Sequence, residues 1–309
     1  MPVLSLLAEA ASQPIQFADL GLTKGIDLGF FYLRFYSLAY ILGLFLAYWH
    51  LSKMIKAPGA PMAQAHVDDL FFYCTLGVIF GGRLGYAAFY TGGESSKPNM
   101  FTSFTPSETV SWDLLRLWDG GMSFHGGVIG VVVAILFVAW RNNLNWLRVC
   151  DYIAVNVPFG MLLGRLANFV NGELYGRATD APWAMVFPED PEQIGRHPSQ
   201  LYQAGLEGLL MMVILLLLFW KTKARWRPGV LVGVFTIGIA AARFVNEFFR
   251  APDAHLSNVV VETGLSQGQW LSIPLFAVGL AVVLYALLRK PSAAGSTKTA
   301  AAKPEAPVS

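Results

Sequence analysis

Seven long apolar runs divide this chain, and most of its charged residues lie between them. About 20 apolar residues in a helix are enough to cross the hydrocarbon core of a bilayer. The runs predict membrane spans at 30–51, 70–90, 122–140, 149–170, 201–220, 229–249 and 270–288. No basic segment precedes the first run, and its apolar stretch is too long for a signal-peptide core, so we expect it to be retained. The pattern predicts an all-α, polytopic integral membrane protein.

The composition agrees with a membrane protein, because 55% of the residues are hydrophobic and only 14% are charged. Soluble domains carry about a quarter charged residues. The net charge of +2 is too small to indicate binding to nucleic acid. The two cysteines lie far apart, and no metal-ligand spacing occurs. We therefore expect the lipid bilayer as a partner, with no nucleic acid, no metal and no cofactor.

The basic residues are distributed unevenly between the two sides of these spans. Twelve Lys and Arg residues lie in the tail and in the loops after spans one, three and five, whereas six lie on the opposite side. Cytoplasmic loops carry the excess of basic residues, so the amino terminus is predicted outside and the carboxyl terminus inside. The predicted organisation is an outer segment at 1–29, a seven-helix domain at 30–290 and a disordered cytoplasmic tail at 291–309. The outer loops 91–121 and 171–200 are unusually long and are candidates for functional loops.

Several charged residues fall within these spans or at their ends. They are Arg34, Arg83, Arg165, Glu207, Arg243 and Glu247. Each such charge costs about 3 kcal/mol or more at the bilayer centre unless it is paired or hydrated. Arg34 is predicted near the outer end of its span, where its side chain can reach the headgroups. A functional cavity is the default hypothesis for the others.

Two sequence patterns that contain these charges also have a structural interpretation. Arg243, Glu247 and Arg250 have the spacing i, i+4 and i+7, so on one helix face they could form either an ion-pair network or a site. Gly81 and Gly85 flank Arg83 in the pattern that lets two helices pack closely, which explains the glycines but not the arginine.

A polar stripe ends the fourth span. Arg165, Asn168 and Gly172 recur at i, i+3 and i+7, and Glu173 follows at once. A guanidinium can hold a phosphate through a planar fork of donors, and a glycine lets backbone amides come close. The stripe predicts an anion site near the outer surface.

The histidines differ in their surroundings. His125 lies between glycine pairs at the outer start of span three, where it is either a buried core residue or a general base. His197 is expected to orient an outer loop. His50 and His66 on the inner side and His255 in an outer loop are predicted to be solvated.

Together these residues resemble the bacterial prolipoprotein diacylglyceryl transferases, which are integral enzymes of the cytoplasmic membrane. The resemblance covers about residues 36–288, and its most specific part is GRLANFVNGELYG at 164–176. Four further motifs occur in the order of the family: GGRLGY at 81–86, WDGGMSFHGG at 118–127, RHPSQLY at 196–202 and RFVNEFFR at 243–250.

The resemblance implies the first step of bacterial lipoprotein maturation. The diacylglyceryl group of phosphatidylglycerol is transferred to the lipobox cysteine thiol of a preprolipoprotein signal peptide, and glycerol phosphate is released. The active site is expected toward the periplasmic side of the inner membrane.

The resemblance also implies which residues form the site, and one position departs from it. Matched by position, the residues on which the family depends are Tyr36, His125, Arg165, Asn168, Gly176 and Arg243, with Glu173 and Glu247 in support. The motifs add Arg83, Arg250 and His197 as substrate-binding candidates. Gln203 stands where the family pattern has Glu.

The reaction requires chemistry that these residue types can supply. A thiol is a poor nucleophile until it is deprotonated, and either His125 or Tyr36 could be the base. Arg165 and Arg243 could hold the charge of the departing phosphate. The alternative is a transporter or channel for an anionic lipid or solute. The odd number of spans and the single copy of the polar stripe argue against two repeated halves of that kind.

Overall fold

The computed structural model describes residues 14–30, 32–93, 95, 97–251 and 264–289. Within these ranges the chain is mainly helical, and we number the principal helices in chain order. They are α1 Phe35–Met54, α2 Gln64–Tyr90, α3 Phe124–Arg141, α4 Trp146–Ala154, α5 Val157–Asn171, α6 Ser199–Lys221, α7 Val230–Asn246 and α8 Gln267–Leu288. His255 and the predicted tail at 291–309 lie outside the described residues.

The helices confirm the predicted all-α, polytopic membrane fold. In the described part of the chain, six helical stretches are long and apolar enough to cross a membrane, and α7 is a shorter apolar helix. The helices α4 and α5 together form one of the six stretches, Trp146–Asn171. The strands are short: β1 Ile15–Gln16 pairs in parallel with β4 Met185–Val186, and β2 Gly25–Asp27 pairs antiparallel with β3 Tyr32–Arg34.

The first membrane helix begins later than predicted, at Phe35 rather than at residue 30. Arg34 lies in β3, opposite Gly25, so its predicted place at the end of a helical span is wrong. A Cβ atom at Gly25 would lie 2.3 Å from the carbonyl oxygen of Leu33. The glycine therefore permits a close strand pair, and this pairing takes the residues before Phe35 out of the helix.

Two other spans also differ from the prediction. The fourth is interrupted between α4 and α5, where Pro158 occupies the first turn of α5 and has no N–H to continue the hydrogen-bond ladder. The sixth ends at Asn246, so the prediction that Arg250 shares a helix face with Arg243 is wrong. The chain turns after α7, and Arg250 instead forms a backbone bridge with Gly176.

The chain forms two compact units, Met1–Leu51 with Asp151–Ser309, and Ser52–Cys150. In the first unit, the Asp151 carboxylate accepts hydrogen bonds from the backbone N–H groups of Gly229 and Val232, at 2.7 and 2.8 Å. These bonds cap the start of α7 with a negative charge, which favours the helix.

His50 also belongs to the first unit, and the prediction that it is solvated is wrong. Its side chain is buried, with its Nδ1 atom 2.7 Å from Asn156 Oδ1. The indole N–H of Trp220 donates to its Nε2 atom. Two polar partners thus replace water around the imidazole.

The second unit is built on close packing of α2 against α3. A Cβ atom at Gly126 would lie 2.2 Å from the carbonyl oxygen of Gly81, and one at Gly130 would lie 1.9 Å from that of Gly77. A Cβ atom at Gly85 would lie 2.8 Å from the Cα atom of Gly126. The close contact predicted for Gly81 and Gly85 is confirmed, since only glycine fits at this helix interface.

Candidate functional site

A buried carboxylate lies inside helix α6 of the first unit. Residues Ala204–Leu210 form a π-helical segment, and Glu207 at its centre is 1% exposed. The segment comes so close to α5 that a Cβ atom at Gly208 would lie 2.7 Å from the Cα atom of Leu162. Short π segments widen a helix locally and often occur at functional sites.

Arg165 on α5 is the partner of this carboxylate. Its Nη2 atom lies 3.6 Å from Oε2 of Glu207. The Oε1 atom of Glu207 has no hydrogen-bond partner among the described residues. The positive charges of Arg243 and Arg250 also act on Arg165. Three guanidinium groups therefore share one region, and the buried Glu207 offsets only part of their charge.

Glu247 is the second carboxylate of this cluster. It follows the end of α7 and is 5% exposed. Its Oε1 atom lies 3.3 Å from Nη1 of Arg250 and 3.9 Å from Nη2 of Arg243. The Ser266 hydroxyl donates to Oε2 at 2.9 Å. Although α7 ends at Asn246, Arg243 and Arg250 remain close together, because both lie near the Glu247 carboxylate.

The polar stripe ends in a tight turn. Gly172 adopts a left-handed conformation, with φ of 72°, and terminates α5. The chain then returns so that the Asn168 side-chain amide donates to Oε1 of Glu173 at 2.7 Å. The side-chain amide of Gln200 donates to the Glu173 backbone carbonyl at 2.6 Å. Asn168 thus orients a carboxylate at the end of the helix that carries Arg165.

Tyr36 lies at the start of α1 in the same unit. Its hydroxyl is 3.0 Å from that of Tyr40, one helical turn later. The charges of Glu173 and Arg165 both act on the Tyr36 phenol. The phenol thus belongs to the region that contains Arg165.

Gly176 and His197 hold the outer loop of this unit together. The Gly176 N–H donates to the His197 carbonyl at 2.8 Å, and a Cβ atom at Gly176 would lie 2.3 Å from the carbonyl oxygen of Phe249. The Nδ1 atom of His197 lies 3.1 Å from the Tyr202 hydroxyl. Burial lowers the pKa of His197 below its ordinary value, which favours the neutral imidazole at pH 7.

In the second unit, Arg83 binds the backbone of the outer loop. The residue is 4% exposed. Its guanidinium donates to five carbonyl oxygens, those of Asp113, Leu114, Arg116, Gly120 and Gly121. The buried charge is thereby solvated by peptide dipoles, which explains the arginine that helix packing alone left unexplained.

His125 follows this loop, in the first turn of α3, and is exposed. Ser123 caps that helix by accepting a hydrogen bond from the Gly126 N–H at 3.3 Å. The Ser123 N–H in turn donates to the Gly82 carbonyl at 2.8 Å. His125 is therefore presented from a rigid, capped helix start, with its imidazole accessible.

The structure thus distributes the predicted site residues over both units. The first unit brings together Tyr36, Arg165, Asn168, Glu173, Gly176, His197, Arg243, Glu247 and Arg250, and the second contains Arg83 and His125. Glu207 was predicted only as a charge within a span and not as a site residue. The signal was a lone carboxylate in an apolar helix, which requires a cationic partner. Ser266 and Tyr40 gave no comparable signal.

Comparison with known proteins identifies the family. The profile of the prolipoprotein diacylglyceryl transferases matches residues 24–285. The phosphatidylglycerol–prolipoprotein diacylglyceryl transferase of Erythrobacter litoralis is 74% identical over 284 residues, which cover 92% of this chain and 96% of that protein. The protein of the same name from Zymomonas mobilis is 43% identical, over 89% of this chain and 95% of its own length. The chain belongs to the prolipoprotein diacylglyceryl transferase family.

Proposed function

We propose that this protein transfers the diacylglyceryl group of phosphatidylglycerol to the lipobox cysteine thiol of preprolipoproteins. The observation that carries the proposal is the group of three arginines, Arg165, Arg243 and Arg250, around two buried carboxylates in a membrane-embedded unit. The relatives bear the name of this activity, and they match the chain over most of its length.

In the proposed reaction, the cysteine sulfur attacks the glyceryl carbon that carries the phosphate ester. A carbon–sulfur bond forms as the carbon–oxygen bond breaks, and the electron pair of that bond leaves with glycerol phosphate. The leaving group gains negative charge in the transition state. Arg165 and Arg243 are assigned to that charge, because a guanidinium fork matches phosphate oxygens.

Arg165 and Arg243 differ in how firmly they are held. The Arg165 side chain is 23% exposed and pairs with a buried carboxylate. The Arg243 side chain is 42% exposed, and the nearest carboxylate oxygen among the described residues is 3.9 Å away. We assign Arg165 to orienting the phosphate of the bound lipid. We assign the more accessible Arg243 to binding that phosphate as it leaves. Asn168 and Glu173 are assigned a supporting role, because they bond to each other in the turn that ends the helix carrying Arg165.

The thiol proton needs an acceptor, and both predicted candidates remain in the proposal. His125 is an accessible imidazole, the group best suited to general base catalysis near neutral pH. Tyr36 is a phenol with an ordinary pKa of about 10, so at pH 7 it is almost entirely protonated and cannot readily accept the thiol proton. His125 is the first choice, and Tyr36 then orients a substrate through its hydroxyl.

The remaining candidates are assigned supporting roles. Arg83 maintains the loop that leads to His125, whereas Gly176 and His197 maintain the loop that follows Glu173. Arg250 contributes to phospholipid binding through the Glu247 cluster. The site is assigned to the periplasmic side of the inner membrane, with the amino terminus outside, on the distribution of basic residues.

The decisive experiment uses purified protein, labelled phosphatidylglycerol and a lipobox peptide. We expect label on the peptide, and a matched peptide with Ser in place of the lipobox Cys should remain unlabelled. The rival proposal, transport of an anionic lipid, predicts movement of lipid between leaflets with no labelled peptide. The names of the two relatives described above give that rival no support.

A further inference from the structure

Five basic side chains cluster at the end of the first unit that is opposite to Arg165. Helix α6 ends there, α7 begins there and α8 ends there. We call this cluster the basic end, and it comprises Lys221, Lys223, Arg225, Arg227 and Arg289.

The backbone of the basic end is ordered by local contacts. A short 3-10 turn, Ala224–Trp226, joins α6 to α7. The Arg227 guanidinium donates to the Leu287 carbonyl at 3.0 Å, which ties the loop to the end of α8. The loop and Arg289 are thus held on the same small surface.

The basic end carries more positive than negative charge among the described residues. In the ranges that the structure describes, none of its five side chains has a carboxylate within 4.0 Å. The buried Asp151 carboxylate, which accepts hydrogen bonds from two backbone N–H groups at the start of α7, is one negative charge against these five positive ones. Lys221, Lys223 and Arg289 are exposed. The cluster therefore presents an excess of positive charge.

Arg225 is the most constrained member of the cluster. Its guanidinium carbon lies 5.2 Å from the centre of the Trp226 ring and 5.8 Å from that of Phe219. The two rings pack beside the guanidinium, and its Nε atom is buried. Among the described residues the two terminal nitrogens are not buried donors without a partner, so they are the part of the group that an acceptor from outside the protein can reach.

The surroundings indicate the class of that acceptor. Leu288 is 87% exposed and Leu284 is 50% exposed on α8, directly before Arg289. A phosphate next to exposed leucines at the end of a membrane helix is the chemistry of a phospholipid headgroup with its acyl chains on the apolar surface. We propose that the basic end binds an anionic phospholipid, at a site separate from the Arg165 cluster and independent of the transfer reaction.

The test measures binding of phosphatidylserine to the full-length protein in neutral detergent, by native mass spectrometry and thermal stabilisation. Phosphatidylcholine and glycerol phosphate are the comparison ligands. Because each basic residue near an anionic lipid contributes about 1 kcal/mol, Lys221→Gln/Lys223→Gln should weaken binding by about tenfold or more. The control Lys56→Gln/Arg141→Gln removes the same charge in the second unit and should bind normally.

A second variant, Arg225→Gln, removes the guanidinium group and should also weaken binding. If Arg225→Gln is unstable, the variant with the two exposed lysines replaced still tests the proposal. Equal loss in the double-lysine variant and in its control, or no loss in either, would overturn the proposal. Equal stabilisation by phosphatidylcholine would do the same. Equal stabilisation by glycerol phosphate would make the site one for soluble phosphates and would refute the lipid assignment.

Discussion

The carboxylate of Glu207 lies 3.6 Å from the guanidinium of Arg165, and only one of its two oxygens faces that partner. The pair joins α5 to the π-helical segment of α6. An arginine held by one edge retains donors on its other nitrogens, which are the donors that a phosphate ligand needs. The pair therefore fixes Arg165 without consuming its capacity to bind an anion.

Replacing Arg165 by Lys should cost about 100-fold in transfer rate although the positive charge is kept. A lysine ammonium cannot provide the planar pair of donors that fits two phosphate oxygens. The measurement is the initial rate with labelled phosphatidylglycerol and a lipobox peptide, alongside thermal stability. Near-normal turnover in a folded variant would reduce Arg165 to a simple positive charge.

Glu207→Gln should lower the free energy of unfolding by about 3 kcal/mol, because removing one partner of a buried ion pair leaves the other uncompensated. Arg165→Gln/Glu207→Gln should recover part of this stability and yet remain inactive. Denaturation in detergent and the transfer assay separate the two effects. If the two single losses of stability simply add in the double variant, the residues are not coupled.

His125→Gln should reduce turnover by about 100-fold or more at pH 7 if His125 is the general base. Raising the pH should recover activity, because the thiol, with an ordinary pKa of about 8.5, then ionises without help. Tyr36→Phe should show a weaker rescue at high pH. Phosphatidylglycerol binding provides the control and should be unchanged in His125→Gln. A folded His125→Gln protein with normal turnover at pH 7 would transfer the base role to Tyr36.

Mild acid should destabilise the protein through His197. Burial lowers its pKa in the folded state below the ordinary value of 6.5, so the unfolded chain binds the proton more readily. The stability contributed by the neutral imidazole is complete above pH 6.5 and decreases as the pH falls through the folded-state pKa. Thermal unfolding between pH 7.5 and 5 measures the decrease, and His197→Gln should flatten it. An equally steep decrease in that variant would assign the effect to other groups.

The glycine contact between α2 and α3 provides a paired test. A methyl group at residue 126 would lie 2.2 Å from the Gly81 carbonyl oxygen, whereas at the adjacent residue 127 its nearest contact would be the Val78 carbonyl oxygen at 3.8 Å. Gly126→Ala should therefore cost about 3 kcal/mol or more, because neither helix backbone can move locally. Gly127→Ala should be close to neutral. Similar stability of the two variants in detergent would contradict this packing.

The approximate positions and the order of the apolar helices could be predicted from the sequence, because apolar length is a property of each segment alone. Of the seven predicted spans, six are long enough to cross a membrane and α7 is shorter. Helix ends were less predictable. Arg34 lies in a strand because Gly25 allows the partner strand to approach closely. The pattern of apolar residues does not predict that contact. The break before Val157 left a clear signal in Pro158, which a hydropathy average conceals.

The sequence indicated which residue types form the site, but not which residues contact one another. An arginine within an apolar span needs polar partners, and the sequence indicated this need for both Arg83 and Arg165. It could not distinguish the carbonyl groups that surround Arg83 from the carboxylate beside Arg165, because both sets of partners lie in other segments of the chain. His50 was mispredicted for the same reason, since Asn156 and Trp220 bury it from distant positions.

The five hydrogen bonds of Arg83 fix residues 113–121 of the outer loop, which we call the stem. Its guanidinium binds only carbonyl oxygens in the stem, so the grip does not depend on the side chains present there. Residues 97–112 make none of these bonds, but the hydroxyls of Ser103 and Thr105 donate to the Asp113 carboxylate at 2.7 and 2.9 Å and attach this stretch to the stem. The loop is therefore anchored to Arg83 through its backbone. Substitutions of side chains in the stem should be tolerated better than insertions or deletions there, which would displace the carbonyl oxygens that solvate the buried guanidinium.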